Sequence, residues 1–528
     1  MSNARNIFVK TTRVLSALLL VLLISPRAFF ASDRGFNKPG DSLRQAEIEK
    51  TLFIASGVQS KVLRIGLVDC ILYSLKNNKD ILIKKIEPKL RKDDIEIARA
   101  AFEPTLTSEF NIHDETEIAS SILQGADKFN SQDTTFNIGV SGKLTTGTKY
   151  NVEFLNERYK SDSSYQIYNP YYATEPKVTI TQPLFRSFGA AVNTADIMVA
   201  RNNQKASEEG FINTVMDIVS KAKTAYYNYI FYLEKYSIDR LSHERARDLV
   251  EINKARYAKG LISSVDLLET EAAAAQREKA VLSAEASLKK AEDDLKLVIG
   301  LVDDPEVWNA QIELIDKPEF IRREVDLLKS LKDAFQYRPD YKAGKINLES
   351  HDIKIMAEKN TLLPIIDLVG SLGLNGLGQD YQSALGKSNS NYQDWSAGVK
   401  VSIPWGGAER AKYDQRKLEK AQALLAFKQL EQNIILEVRD KVRLTKTQYR
   451  QVEVAKLSRE KEIQNYEAQK ERYATGHVST HDILDYQDKL SQSELDYVQA
   501  LIDYNIALIN LDKSAGLTLA KNDVKIEE

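Results

Sequence analysis

Five side chains in two short stretches could do chemistry by charge: Asp266 and Glu269 in the first, and His481, Asp482 and Asp485 in the second. Ser263 to Asp266 and Ser479 to Asp482 both have the spacing of a helix capping box. In that motif the acid reaches back to the N-cap amide and also favours the positive end of the helix dipole. Asp485 lies three residues past Asp482, on the same helix face, and the first stretch has Glu269 in that place. His477 and His481 are four apart. Such a pair can offer two imidazoles to one metal ion, but two ligands do not close a site, and exposure beside a turn explains both. The other histidines, His113, His243 and His351, are scattered, and Cys70 is the single cysteine. One thiol excludes an internal disulfide or a cysteine-rich metal centre, and Cys70 reads as a small buried apolar side chain. No G-x-S-x-G, H-E-x-x-H, P-loop or dinucleotide motif occurs, so neither enzyme chemistry, a cofactor nor a metal is expected.

The elements that hold these residues come in duplicate. Arg256-Tyr257-Ala258-Lys259-Gly260 recurs as Arg472-Tyr473-Ala474-Thr475-Gly476, Asp266-Leu267-Leu268 as Asp482-Ile483-Leu484, and Gly300 as Gly516. Asp80 and Pro104 bracket a run that returns between Asp340 and Pro364. The unit is roughly 200 to 240 residues long, far beyond a solenoid repeat. Each copy opens with a helix, 66–102 and then 327–362. Pro88 should kink or break the first of these, and Leu348 stands in its place in the second. Alternation then predicts strands between 105 and 185 and between 365 and 404. Thr145 to Thr148 reads as a hairpin turn, and the 133–158 hairpin has no counterpart in the second copy. From Gly189 the period is helical again. Phe211, Val215, Ile218, Ala222, Ala225, Tyr229, Tyr232 and Tyr236 follow a heptad seam. Helices of about 190–256 and 408–473, each on the order of 100 Å, turn at Gly260 and Gly476 and return over about 264–299 and 480–515.

Composition narrows the class. The chain has 528 residues, 43% of them apolar, with 73 basic and 75 acidic side chains and a net charge of -2. That balance gives no pull toward nucleic acid. Arg5, Lys10 and Arg13 ahead of an apolar run from Val14 to Ile24 predict a signal peptide over 1–31. No later apolar stretch approaches the roughly 20 residues of a membrane helix, so any membrane crossing must use strands. The expected organisation is an extension at 32–62, repeat one at 63–301, a linker at 302–326, repeat two at 327–517 and a tail at 518–528.

Strands in lipid cannot leave edges unpaired, so such sheets close into barrels. Too few strands are expected in one chain for a pore-sized barrel. Several copies can close one, and two strands per repeat in three chains give about 12 strands. The extra hairpin either widens that barrel or stands outside as a flap. Alternation alone leaves a soluble β domain on a coiled-coil rod equally open.

Leu75 to Asp80 with Pro104, Tyr337-Arg338-Pro339-Asp340 with Pro364, Gln182-Pro183-Leu184-Phe185, the two Arg-Tyr-Ala-x-Gly turns and the closing Gly300 and Gly516 resemble the TolC-like outer-membrane efflux family over nearly all of 63–518. The resemblance implies an α+β fold: a trimeric barrel of about 12 strands, four or more per chain, in the outer membrane continuous with an α-helical periplasmic tunnel. It implies an exit duct for a tripartite efflux pump or type I secretion system, with a homotrimer, a periplasmic adaptor, an inner-membrane RND or ABC transporter and outer-membrane lipid as partners. It places adaptor docking at Gly260, Leu261, Gly476 and His477, and the channel constriction at Asp482, Asp485, Asp266 and Tyr473. In a trimer, Asp482 and Asp485 would set six carboxylates around one axis, a crowding that should raise some of their pKa values, attract cations and repel anions. Val478 occupies the family's basic position, a departure that weakens the expected lock. A non-pore periplasmic coiled-coil or adaptor protein is the alternative.

Overall fold

A computed structural model describes residues 62–118, 128–163, 165–302, 308–403 and 406–525. The expected signal peptide at 1–31 and nearly all of the expected 32–62 extension lie outside the described residues. Contacts divide the chain into a small unit, up to Arg64 plus Leu301–Glu313, and a large one of Ile65–Gly300 and Leu314–Glu528. The small unit is built on the pairing of β1 (Val62–Ile65) with β6 (Gln311–Leu314), where Arg64 donates to Glu313 across 2.9 Å.

The large unit opens with α1 (Leu67–Asn77) and α2 (Lys79–Arg99). The expected break at Pro88 is not there. Pro88 removes one hydrogen bond, and the rest of the ladder carries α2 past it. The chain breaks instead at Asn78, whose backbone is extended and whose Oδ1 accepts from the Asp80 amide at 3.0 Å, starting a new helix. The second half breaks in the same place relative to Asp340. There α6 (Leu327–Tyr337) stops at Arg338, held extended by the following proline, and α7 (Pro339–Thr361) begins.

The long helices match their expected ends closely. After a short α3 (Ala190–Asn193), α4 runs Ala195–Ala258 and returns as α5 (Ser264–Val298). In the second half α9 runs Ala408–Ala474 and α10 Thr480–Ser514, followed by a short α11 (Thr518–Lys521). At about 1.5 Å per residue the 64-residue α4 and 67-residue α9 are each on the order of 100 Å long. Val215, Ile218, Ala222 and Tyr229 of the heptad seam are buried, and Met216, Val219, Tyr226 and Ile230 are buried beside them. The helix therefore buries more than one seam, as a helix with several packed neighbours must.

Between the helices lies one antiparallel sheet in the order β2 (Thr105–Ile118), β3 (Lys128–Lys143), β4 (Lys149–Ser161), β5 (Tyr171–Pro183), β7 (Ile365–Leu374), β9 (Gln393–Ser402). A three-residue β8 (Gly376–Gly378) also pairs with β5, and α8 (Tyr381–Lys387) follows it. One rung of the ladder reads Leu106, Val140, Val152, Val178, Leu372 and Trp395, one apolar residue from each long strand.

Candidate functional site

The two helical hairpins turn with the same local structure. Gly260 has φ +69° and Gly476 φ +77°, a region that strains any residue with a Cβ. The turn amides fold back on the preceding helix: Leu261 donates to the Arg256 carbonyl at 3.0 Å, and His477 to the Arg472 carbonyl at 2.9 Å. This is the glycine-based helix stop that satisfies otherwise orphaned carbonyls. Beyond the adjoining residues, no atom of the described chain lies within 4 Å of where a Cβ would stand on either glycine. Leu261, Val265 and Leu268 form an exposed apolar group at the first tip.

Both expected capping boxes are present. The Ser263 and Ser479 hydroxyls each donate at 2.7 Å to the carboxylate of Asp266 or Asp482, and the two serine amides donate to the same oxygens. These bonds hold both carboxyls below the ordinary aspartate range. Within one chain, therefore, Asp482 is not raised by crowding; its serine dominates. Asp485 points along the same helix to Lys489 at 2.7 Å. His481 bonds Glu269 on the other hairpin at 2.8 Å, and this bond raises the imidazole pKa above its ordinary 6.5. His477 meets the Thr475 hydroxyl at 2.9 Å, so the two histidines have separate partners. Among the described residues no group of three or more His, Cys, Asp or Glu is arranged to hold a metal ion. Cys70 is fully buried, and burial pushes its thiol up to about 12.

Tyr473 and Asp266 do not meet. The Tyr473 hydroxyl instead donates to Asn253 at 2.5 Å and lies 3.3 Å from the Thr480 hydroxyl. The Arg256 guanidinium sits 4.4 Å from the Tyr473 ring centre and donates to the Tyr473 and Ala474 carbonyls. Val478 packs against the apolar cluster of Leu249, Tyr466, Tyr473, Ile483, Leu484 and Leu490, so apolar contact stands where the resemblance implies a basic residue. A further tie was not foreseen. Buried Arg277 of α5 grips Gln487 at 2.5 Å, Asp488 at 2.7 Å and the Leu484 carbonyl of α10. The arginine just after the run of alanines at 272–275 was its only signal.

The profile of the outer membrane efflux protein family matches residues 72–301 and 330–517. The chain belongs to that family. Nodulation protein T of Rhizobium leguminosarum bv. trifolii is 23% identical over 337 residues, 61% of this chain and 69% of the relative. The Campylobacter jejuni CmeC outer membrane channel has the same fold, with a TM-score of 0.64 at 16% identity over 86% of each chain. The Vibrio cholerae outer membrane protein VceC aligns with a TM-score of 0.62 at 14% identity, covering 85% of this chain and 96% of its own. Like those neighbours, this efflux-family chain is mostly helical with a sheet, and its family is one of transport through the outer membrane. Among its described residues no helix is long and apolar enough to cross a membrane.

Proposed function

We propose that this chain, exported by a signal at 1–31, is the outer-membrane exit channel of a tripartite efflux pump or type I secretion system. Three copies close one barrel around water, and the two duplicated halves of each copy extend the duct through the periplasm as paired helical hairpins. The observation that carries this reading is the joining of an amphipathic sheet to helices of 64 and 67 residues in one chain. Such a sheet has an apolar face to give to lipid and edges that lipid forces it to pair. The duct is passive. Energy comes from an inner-membrane RND or ABC transporter, bridged by a periplasmic adaptor.

The tips supply the two specific roles. Gly260, Leu261, Gly476 and His477 offer the adaptor two exposed turns of like geometry, the first flanked by exposed Val265 and Leu268. Asp482 and Asp485 ring the entrance. Asp482 keeps its charge because Ser479 holds it low, so six carboxylates around the axis favour cations over anions. Asp266 and Tyr473 act one step back: Asp266 fixes the start of α5, and Tyr473 ties α9 to α4 through Asn253. Fractionation with chemical cross-linking tests the reading. A trimer in the outer-membrane fraction is expected, and a soluble monomer would overturn it.

A further inference from the structure

The hairpin that the second half lacks does not stand beside the sheet; β3 and β4 are its second and third strands. β2 pairs with β3 along all 14 of its residues, from Thr105↔Ser141 to Ile118↔Lys128, and β4 pairs with β5 from Lys149↔Thr181 to Tyr159↔Tyr171. The hairpin turn is fixed at the level where the sheet meets the helices. Gly189 donates to the Thr146 carbonyl at 3.0 Å, and Thr148 donates to Gln182 at 2.5 Å. Gly147 has φ +97° and lies so close to the chain after β5 that a Cβ would fall 2.1 Å from the Ser187 carbonyl. The hairpin thus spans the same height as its neighbours.

Its two faces continue those of the sheet. Val140 and Val152 complete the apolar rung that begins at Leu106 and ends at Trp395. One residue along, on the opposite face, the rung reads Thr105, Ser141, Asn151, Thr179, Ser371 and Ser396, every member polar. A flap in water has no need of this match, whereas a wall between lipid and an aqueous lumen requires it. The sheet has six long strands, and its outer strands β2 and β9 run in opposite directions and are exposed at every residue. β9 of one copy can therefore pair antiparallel with β2 of the next, and any number of copies closes without a parallel seam.

We infer that the trimer closes an 18-strand barrel, six strands from each of three chains, in place of the 12 that two strands per half would give. The occupant of each free edge is a second copy of this chain. This inference rests on the trimeric-channel reading above and adds the width of its membrane segment. Barrel diameter grows about linearly with strand number, so the lumen is roughly 1.5-fold wider than that of a 12-strand barrel. Barrels of this strand number leave an open aqueous channel. The wall is then not the narrowest point, and discrimination by size or charge falls to the Asp482–Asp485 entrance.

Single cysteines test the assignment in the full chain reconstituted into liposomes, with the unsubstituted chain as the control for buried Cys70. Val140→Cys and Val152→Cys should resist a charged, membrane-impermeant maleimide, with labelling at least about tenfold slower than at Ser141→Cys and Asn151→Cys, which face water. A second measurement joins the copies: Leu106→Cys combined in turn with single cysteines along the same face of β9, at Trp395, Ala397, Val399 and Val401, should give disulfide-linked dimers and trimers on oxidation at one register. Fast labelling at all four positions in a conducting trimer would place the hairpin outside the membrane and overturn the 18-strand barrel while leaving the channel intact. Absence of any trimer or conductance from the unsubstituted chain would instead overturn the channel reading itself.

Discussion

Asp482 has two tasks that substitution can separate. Its carboxylate caps α10 through Ser479, and in the proposed trimer its charge would face whatever passes the entrance. Asparagine keeps an acceptor for the cap and removes the charge. Asp482→Asn with Asp485→Asn is therefore expected to leave the helix start intact, to weaken cation preference and to abolish block by divalent cations in single-channel recordings. Asp482→Ala with Asp485→Ala should do the same and also loosen the tip. Unchanged block in both would remove the pair from the constriction. The His481–Glu269 pair adds a pH term. Because the folded imidazole is raised above 6.5 by Glu269, its hold on the two tips is fully present below that value and fades as pH rises through the raised one. Glu269→Gln should bring the His481 midpoint, followed by NMR of labelled histidine, back toward 6.5; an unmoved midpoint would mean the pair does not form. At this scale the sequence was legible where partners are near in the chain. Ser263 with Asp266 and Ser479 with Asp482 could be read from spacing alone. Arg277 with Gln487, and Tyr473 with Asn253, could not, because more than 200 residues separate each pair.

Among the elements, the glycines at helix ends divide into two kinds. Gly260 and Gly476 turn in open space, so Gly260→Ala meets only backbone strain, about 1–2 kcal/mol. Gly300 and Gly516 have equally positive φ, but a Cβ there would lie 2.7 Å from the Asn77 carbonyl carbon or 2.8 Å from the Arg338 amide nitrogen. They are the points where each long hairpin closes against the break in the opening helix. Gly300→Ala should therefore lower the melting temperature well beyond Gly260→Ala in the same thermal scan by circular dichroism, and equal effects would contradict this close approach. Gly147→Val should likewise loosen the β3–β4 turn, speeding protease cleavage there, while leaving the helical signal in place. Long helices, strands and turns were readable because period and glycine signal them directly. The break at Asn78 was not, since one side-chain acceptor carries it, while Pro88 advertised a break that the flanking ladder overrides.

At the scale of the whole molecule, alternation gives each strand its two faces but never its neighbour. The sequence could announce the β3–β4 hairpin and still leave it inside or outside the wall; only pairing with β2 and β5 decides its place in the sheet. The same gap separates a coiled-coil rod from a duct, because helices of this length suit either. The sheet favours the proposed duct, because the whole apolar rung from Leu106 to Trp395 lies exposed, an arrangement that suits lipid better than water. The most direct measurement is the conductance of the purified, detergent-extracted chain added to a planar lipid bilayer. A stable trimer that inserts and opens in discrete cation-preferring steps is expected. A chain that stays monomeric and leaves the bilayer silent at every voltage would contradict it.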